Sequence, residues 1–217
     1  MRAIIRLLCS LPIVLSACGG QPVAQTPAMP APPVRPLAPL VAQQVIVAPT
    51  HSLREVDALG WSAQIPRSRV FMHALDDEIE TELAARGLKT RWIYPEALVR
   101  AARINPSYAI DPYTLAADPL RSPDIVAGSR ISDPLMTQLR TMVALEESAR
   151  AVLIPVELRF ERLPSGEGVA ALRVALVDGR LGEVRWIGDV RSDSSPTFSR
   201  GLLTSLAAHF ADLITAR

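Results

Sequence analysis

Apolar residues recur at two spacings along this chain, and the spacing changes where the elements change. Val45-Ile46-Val47 is a short β-branched run stopped by Pro49, the pattern of a buried strand near the start of a folded domain. Phe71, Leu75, Ile79 and Leu83 then fall every fourth residue, and Gly87 follows, which predicts a helix over residues 67–87 with a glycine stop. Residues 89–95, "KTRWIYP", read as a short strand. Pro95 opens a second helix with Leu98, Val99 and Ala102 inward.

Residues 105–133 break every period. One Asn-Pro, three Asp-Pro and one Ser-Pro pair punctuate them, and each proline moves its predecessor out of the helical region. Asp111-Pro112 predicts a helix of one or two turns. Asp133-Pro134 predicts a longer one with Leu135, Leu139, Met142 and Val143 on one side. Three strands follow, over residues 150–162, 169–178 and 183–193, joined by "LPSGEG" and "GRLG". Leu172, Val174, Leu176 and Asp178 alternate with Arg173, Ala175 and Val177, so the middle strand reads as central, with one face drier than the other. Ser195-Pro196 is expected to start the last helix, whose stripe is Leu202, Leu203, Leu206, Phe210, Leu213 and Ile214. The order β-α-β-α-loop-α-β-β-β-α gives an α+β class: a two-layer sandwich, a mostly antiparallel sheet with helices packed on one face.

The first 41 residues follow other rules. Arg2 and Arg6 begin a mostly apolar run over residues 7–15, and small Ser16 and Ala17 precede Cys18. A basic start, an apolar stretch and small residues before a cut are the order of a secretory signal. The run is shorter than the roughly 20 apolar residues that span a bilayer. Leu15-Ser16-Ala17-Cys18 resembles the lipobox of bacterial lipoproteins. The resemblance implies cleavage before Cys18, diacylglycerol on its thiol, and acylation of the new amine by a chain such as palmitate. That cut removes Cys9, so the folded part has no disulfide, thiolate nucleophile or cysteine metal ligand. Residues 19–41 hold seven prolines, no aromatic residue and Arg35 as their only charge. An extended, disordered tether is expected, with a reach of roughly 70 Å if fully polyproline II. The expected organisation is therefore a signal peptide at 1–17, the lipidated cysteine and proline-rich linker at 18–41, and a single α+β domain at 42–217.

Composition narrows the classes further. Hydrophobic residues make up 49% of the chain, enough for a core, and the formal charge of +1 suggests neither a nucleic-acid partner nor a polybasic membrane clamp.

Lipobox, tether and this order of elements together resemble a group of envelope proteins: the amino-terminal domain of TolB, the curli-secretion lipoprotein, and the outer-membrane lipoprotein activators of penicillin-binding proteins. The residue-specific stretch is "ALVDGRLGEVRW" at 175–186, with Asp178, Gly182 and Glu183 at the pattern positions and Leu181 where the family usually has threonine. The resemblance implies a lipoprotein of the cell envelope with another envelope protein as partner. Gly19 after the cysteine, in place of Asp, favours by the same resemblance the outer membrane, facing the periplasm.

Candidate chemistry is sparse. His51, His73 and His209 lie in a loop and on two different helices, with no HExxH, so no metal site is expected. Asp76, Asp77, Glu78, Glu80 and Glu82 spread around the polar side of the first helix and read as a solvated face. No G-x-S-x-G elbow, P-loop or G-x-G-x-x-G is present. Tyr108, Tyr113, Arg121 and Arg130 in the proline-rich segment are the candidate partner-binding residues, since aromatics and arginines commonly anchor protein contacts; the tyrosines could equally fold back as covers. The expected protein is a non-enzymatic adaptor, activator or assembly factor. It is held to a membrane through Cys18, with no cofactor, nucleic acid or small-molecule substrate. Two alternatives stand beside it: a lipid-anchored hydrolase whose site forms only in three dimensions, and a secretion-channel subunit, for which no barrel-forming amphipathic segment is visible.

Overall fold

The structure is a computed structural model that describes residues 34–146 and 149–216. The expected signal peptide, Cys18 and the first part of the tether lie outside the described residues. Strands β1 (Val45–Val47) and β2 (Ser52–Leu53) pair in parallel with β3 (Ala151–Arg162). β3 pairs antiparallel with β4 (Gly168–Asp178), and β4 with β5 (Glu183–Arg191). The helices are α1 (Ser68–Ala85), α2 (Pro95–Ile104), α3 (Leu135–Leu145) and α4 (Gly201–Asp212). This is the α+β order that the periodicities predict. Residues 89–95 supply only a bridge, with Ile93 opposite Ile46, because residues 89–91 form a turn and α2 already begins at Pro95.

Side-chain alternation sorts the sheet residues into two cores. Leu153, Leu158 and Phe160 of β3, with Leu172, Val174 and Leu176 of β4, face Leu75, Ile79 and Leu83 of α1 and Leu206 and Phe210 of α4. Val152, Ile154 and Val156 of β3, with Ala175 and Val177 of β4, point the other way. α1 and α4 are thus the expected helical layer, and the second face is covered as well. α3 covers it with Leu135, Leu139, Met142 and Val143, and the proline-rich segment adds Leu115, Ala117 and Leu120. A hairpin so apolar on both faces leaves neither open to water.

Two local interactions fix the helical layer. Gly87, at φ +82°, ends α1: its N–H donates to the Ala84 carbonyl at 3.0 Å, and the Leu88 N–H donates to Leu83 at 3.1 Å. Beside it the buried Arg86 guanidinium donates to Asp212 (2.7 Å) and to the carbonyls of Ala208 (3.0 Å) and Thr215 (2.8 Å). A cation at the carboxyl end of α4 also complements the helix dipole.

Two boundaries differ from the expectation. The end of the expected tether is part of the domain: residues Ala38–Ala42 form a 3-10 turn, Leu37 and Leu40 are buried, and the Leu37 N–H donates to the Leu213 carbonyl at 3.1 Å. Proline excludes a regular helix there but not a short turn that docks two leucines. α4 starts at Gly201 and not at Ser195-Pro196. Ser195 is drawn into the sheet by two 2.9 Å backbone hydrogen bonds with Gly168, and Phe198 packs among Trp61, Phe71 and Phe160. The Asp-turn-Gly stretch is a hairpin turn. Asp178 accepts from the backbone N–H groups of Arg180 (3.1 Å) and Leu181 (2.9 Å), and a Cβ on Gly182 would strike the Met136 sulfur at 2.1 Å.

Phe210 is fully buried between α4 and the sheet, so Phe210→Ala should cost about 3–5 kcal/mol. That is a large part of the roughly 5–15 kcal/mol of an ordinary domain. An unchanged urea midpoint would show that the α4 stripe is not core. A chain beginning at Gln43 should likewise be less stable than one beginning at Val34, by about 3 kcal/mol for the two lost leucines. Equal midpoints would show that the 34–42 segment contributes no stability.

Candidate functional site

The site begins with a proline. Pro155 lies inside β3, where it offers no N–H, and the register with β4 shifts between Pro155 and Glu157. The neighbouring edge is broken at the same place. β1 runs along Ala151 to Leu153, β2 along Glu157 and Leu158, and the chain between them bows away from the sheet. The bow is held by the Ala48 N–H on Leu153 and the His51 N–H on Pro155, both at 2.9 Å. Its Thr50 is turned toward α1.

There Thr50 meets Asp76. Its backbone N–H and its hydroxyl both donate to Asp76 Oδ1, at 2.8 and 2.6 Å. Asp76 is only 7% exposed, and its second oxygen, Oδ2, is buried with no hydrogen-bond partner. Burial pushes the carboxyl up to about 7; the two Thr50 bonds oppose this and the neighbouring Asp77 adds to it. Asp76 therefore departs from the solvated face read from the sequence. It follows Leu75 on the margin of the α1 stripe, three residues before Ile79, and the bow of Thr50 closes over that margin.

Asp76 lines a groove of about 540 Å³ between α1 and α2. α1 contributes Arg69, His73, Asp77 and Glu80, and α2 contributes Glu96, Arg100 and Arg103. The third wall is the 3-10 turn Pro112–Thr114, started by Asp111, whose carboxylate accepts from the Tyr113 N–H at 3.0 Å. Tyr113 lies against His73, ring centres 4.2 Å apart. Burial raises the Tyr113 hydroxyl's pKa, and Asp76, Asp77 and Asp111 raise it further. Arg100 is held by Glu96 at 2.9 Å. Burial also raises the Glu80 carboxyl, with Glu96 and Asp77 adding to the shift.

Of the four candidate binding residues, only Tyr113 enters this groove. Tyr108 is exposed, and its hydroxyl donates to Asn105 at 2.7 Å. Arg121 pairs with Asp118 and reaches the buried Glu157 at 4.0 Å, beside Arg54, which holds Glu157 at 2.6 Å. Arg130 forms a bridge with Glu183, extending the edge of β5. Arg173 of β4 anchors the same segment through the carbonyls of Leu120 (2.9 Å) and Ser122 (2.8 Å). The middle of the proline-rich segment is therefore a cover for the sheet. The histidines stay apart: His51 faces Asp118, His73 faces Tyr113, and His209 faces Arg191 and Asp193. Among the described residues no three His, Cys, Asp or Glu side chains are grouped to hold a metal ion, and no helix is long and apolar enough to cross a membrane.

An acid whose folded-state pKa is raised stabilises the fold while protonated. Its contribution is full below the unfolded value, near 3.8 for Asp76, and is lost as pH climbs through about 7. The loss amounts to up to about 4 kcal/mol. Asp76→Asn keeps an acceptor for Thr50 and should flatten this slope, matching the wild type at pH 4 and exceeding it at pH 8. Urea unfolding at both pH values checks it, and parallel declines would assign the slope to another group.

No family model and no curated protein matches the chain. Solved structures similar to it include the PelC dodecamer from Paraburkholderia phytofirmans, at 16% identity over 81% of this chain and 91% of that one, with a TM-score of 0.39. E. coli LpoB is similar at 13% identity over 88% of this chain and 85% of its own, with a TM-score of 0.36. Lipoprotein GNA1162 from Neisseria meningitidis is similar at 18% identity over 78% and 96%, with a TM-score of 0.35. With superpositions this loose, no residue's role passes from these neighbours to this chain.

Proposed function

We propose that this chain is a lipid-anchored, non-catalytic protein of the cell envelope whose α+β domain binds another envelope protein. The observation that carries the reading is Leu15-Ser16-Ala17-Cys18 at the end of a basic-then-apolar start. Acyl chains on Cys18 hold the chain at a membrane, with Gly19 favouring the outer one, and the proline-rich residues after it set the distance to the domain. Each buried CH₂ adds about 0.8 kcal/mol, and one chain alone binds only marginally, so a diacylglycerol plus an amide-linked chain anchors without help from a near-neutral domain. On the domain, Tyr108 and Tyr113 are the aromatic groups offered by the proline-rich segment, with Arg121 and Arg130 further along it.

The groove's converging polar groups favour a second reading, an anchored hydrolase, with Asp76 and His73 as proton carriers. Its lining offers no serine, threonine, cysteine or lysine, so a hydrolase there would have to act through a carboxylate or an activated water. Binding needs only the buried acceptor and the aromatic face that the groove already presents, and is the simpler reading of the same geometry.

Mass spectrometry of the protein from membranes should find a mature terminus at an acylated Cys18, and Cys18→Ala should abolish both acylation and cleavage. An unmodified terminus elsewhere would overturn the anchor. Crosslinking in intact cells should give a discrete envelope partner that Tyr113→Ala loses without a change in melting temperature. Loss of folding in that variant would make Tyr113 a structural residue and remove the binding surface.

A further inference from the structure

We propose that the groove between α1 and α2 is a binding site for an organic cation, a guanidinium or alkylammonium group, taken up by Asp76 beside the Tyr113 ring. Acidic side chains on a helix are ordinarily solvated, and a cluster of them alone indicates nothing. Asp76 differs because it is buried, lines the cavity, and has one oxygen committed to Thr50 while Oδ2 has no partner. A carboxylate out of water with an empty acceptor is destabilised until a donor reaches it, and a charged donor serves best.

The surroundings select the sign and kind of that donor. The lining holds five carboxylates against three arginines, and one of those, Arg100, is held by Glu96. An anion is repelled by that balance. A metal ion finds no set of three ligands among the described residues. The Tyr113 ring adds a π surface, against which a planar guanidinium or an ammonium is attracted. The volume of about 540 Å³ admits an arginine or lysine side chain with part of its backbone, or a free diamine. The inference deepens the binding role given to Tyr113, and rests on that role only where the cation belongs to a protein partner.

Proton competition gives it a signature. Below about pH 7 the Asp76 proton occupies the site, so cation affinity should rise from pH 6 to pH 8. Arg69, His73, Asp77, Glu80, Glu96, Arg103 and Asp111 also face the groove and shape the rest of the profile.

The test is an NMR titration of the full chain in detergent micelles with methylguanidinium, and with urea as its neutral counterpart. Methylguanidinium should give saturable shifts at Thr50, His73, Asp76 and Tyr113, and urea should give none. Asp76→Asn should weaken binding about tenfold or more, its melting curve confirming the fold. Should that variant fail to fold, Glu80→Gln should weaken binding about threefold through the rim charge alone. Linear shifts, equal shifts with urea, unchanged affinity in either folded variant, or tighter binding of magnesium at the same resonances would each overturn the proposal. A blocked Ala-Arg-Ala peptide and 1,4-diaminobutane then distinguish the sources. Tighter binding of the peptide assigns the cation to a partner's side chain, tighter binding of the diamine assigns it to a free small amine, and binding of neither overturns the site. These titrations need no envelope partner, so they can succeed where crosslinking fails, and the reverse.

Discussion

A stretch of strand with neighbours on both edges and burial on both faces has little that it can leave to water. Residues 152–158 of β3 are that stretch. It takes β1 and β2 on one edge and β4 on the other, and residues Val152, Leu153, Ile154, Val156 and Leu158 are inaccessible to solvent. Two cores must therefore be built, one on each side, and the rest of the chain is distributed to supply them. α1 and α4 cover one face. α3 and the proline-rich segment cover the other, and Leu37 and Leu40 complete the edge of the first.

Pro155 is the exception inside β3 that brings a partner to Asp76. A proline in a doubly paired strand forces a bulge, and the edge strand facing that bulge is split in two. Thr50, in the resulting bow, supplies a backbone N–H that a continuous strand would have spent on the ladder, and its hydroxyl adds a second donor to the same oxygen. Those two donors are what let Asp76 be buried at all. The position of one imino acid in β3 thus sets the state of a carboxyl on a helix in the layer above.

The elements with strong periodicity were legible in the sequence. The α1 stripe of Phe71, Leu75, Ile79 and Leu83, the α3 stripe from Leu135 to Val143, and the alternation of β4 all sit where the spacing places them. What could not be read depends on contacts remote in sequence. Leu37 and Leu40 look like linker residues until Leu213, the residue after α4 and some 170 positions later, offers its carbonyl. Ser195-Pro196 carries a helix-start signal, but pairing with Gly168 overrides it. Of the site, residue type alone points to Tyr113, while the spacing along α1 makes Asp76 one of five acids on a solvated face. Its difference from Asp77 arises only when Thr50 arrives, and no spacing within α1 records that.

The proline-rich segment shows why residue type and role separate. Arg121 and Tyr113 have the same sequence credentials as interface residues, but Arg121 compensates Glu157, a carboxylate buried on β3, and Tyr113 lies against His73 at the rim of a groove. A guanidinium that neutralises a buried acid within its own chain is already committed to the fold. Glu157 and Asp76 are the two buried carboxylates nearest the break at Pro155. The chain answers the first with Arg54 and Arg121, and gives the second only neutral donors on one of its oxygens. A fold that can place arginines over one buried acid had the means to place one over the other. That Asp76 keeps an unpartnered oxygen beside an open groove is the physical reason to look for its counter-charge outside the chain.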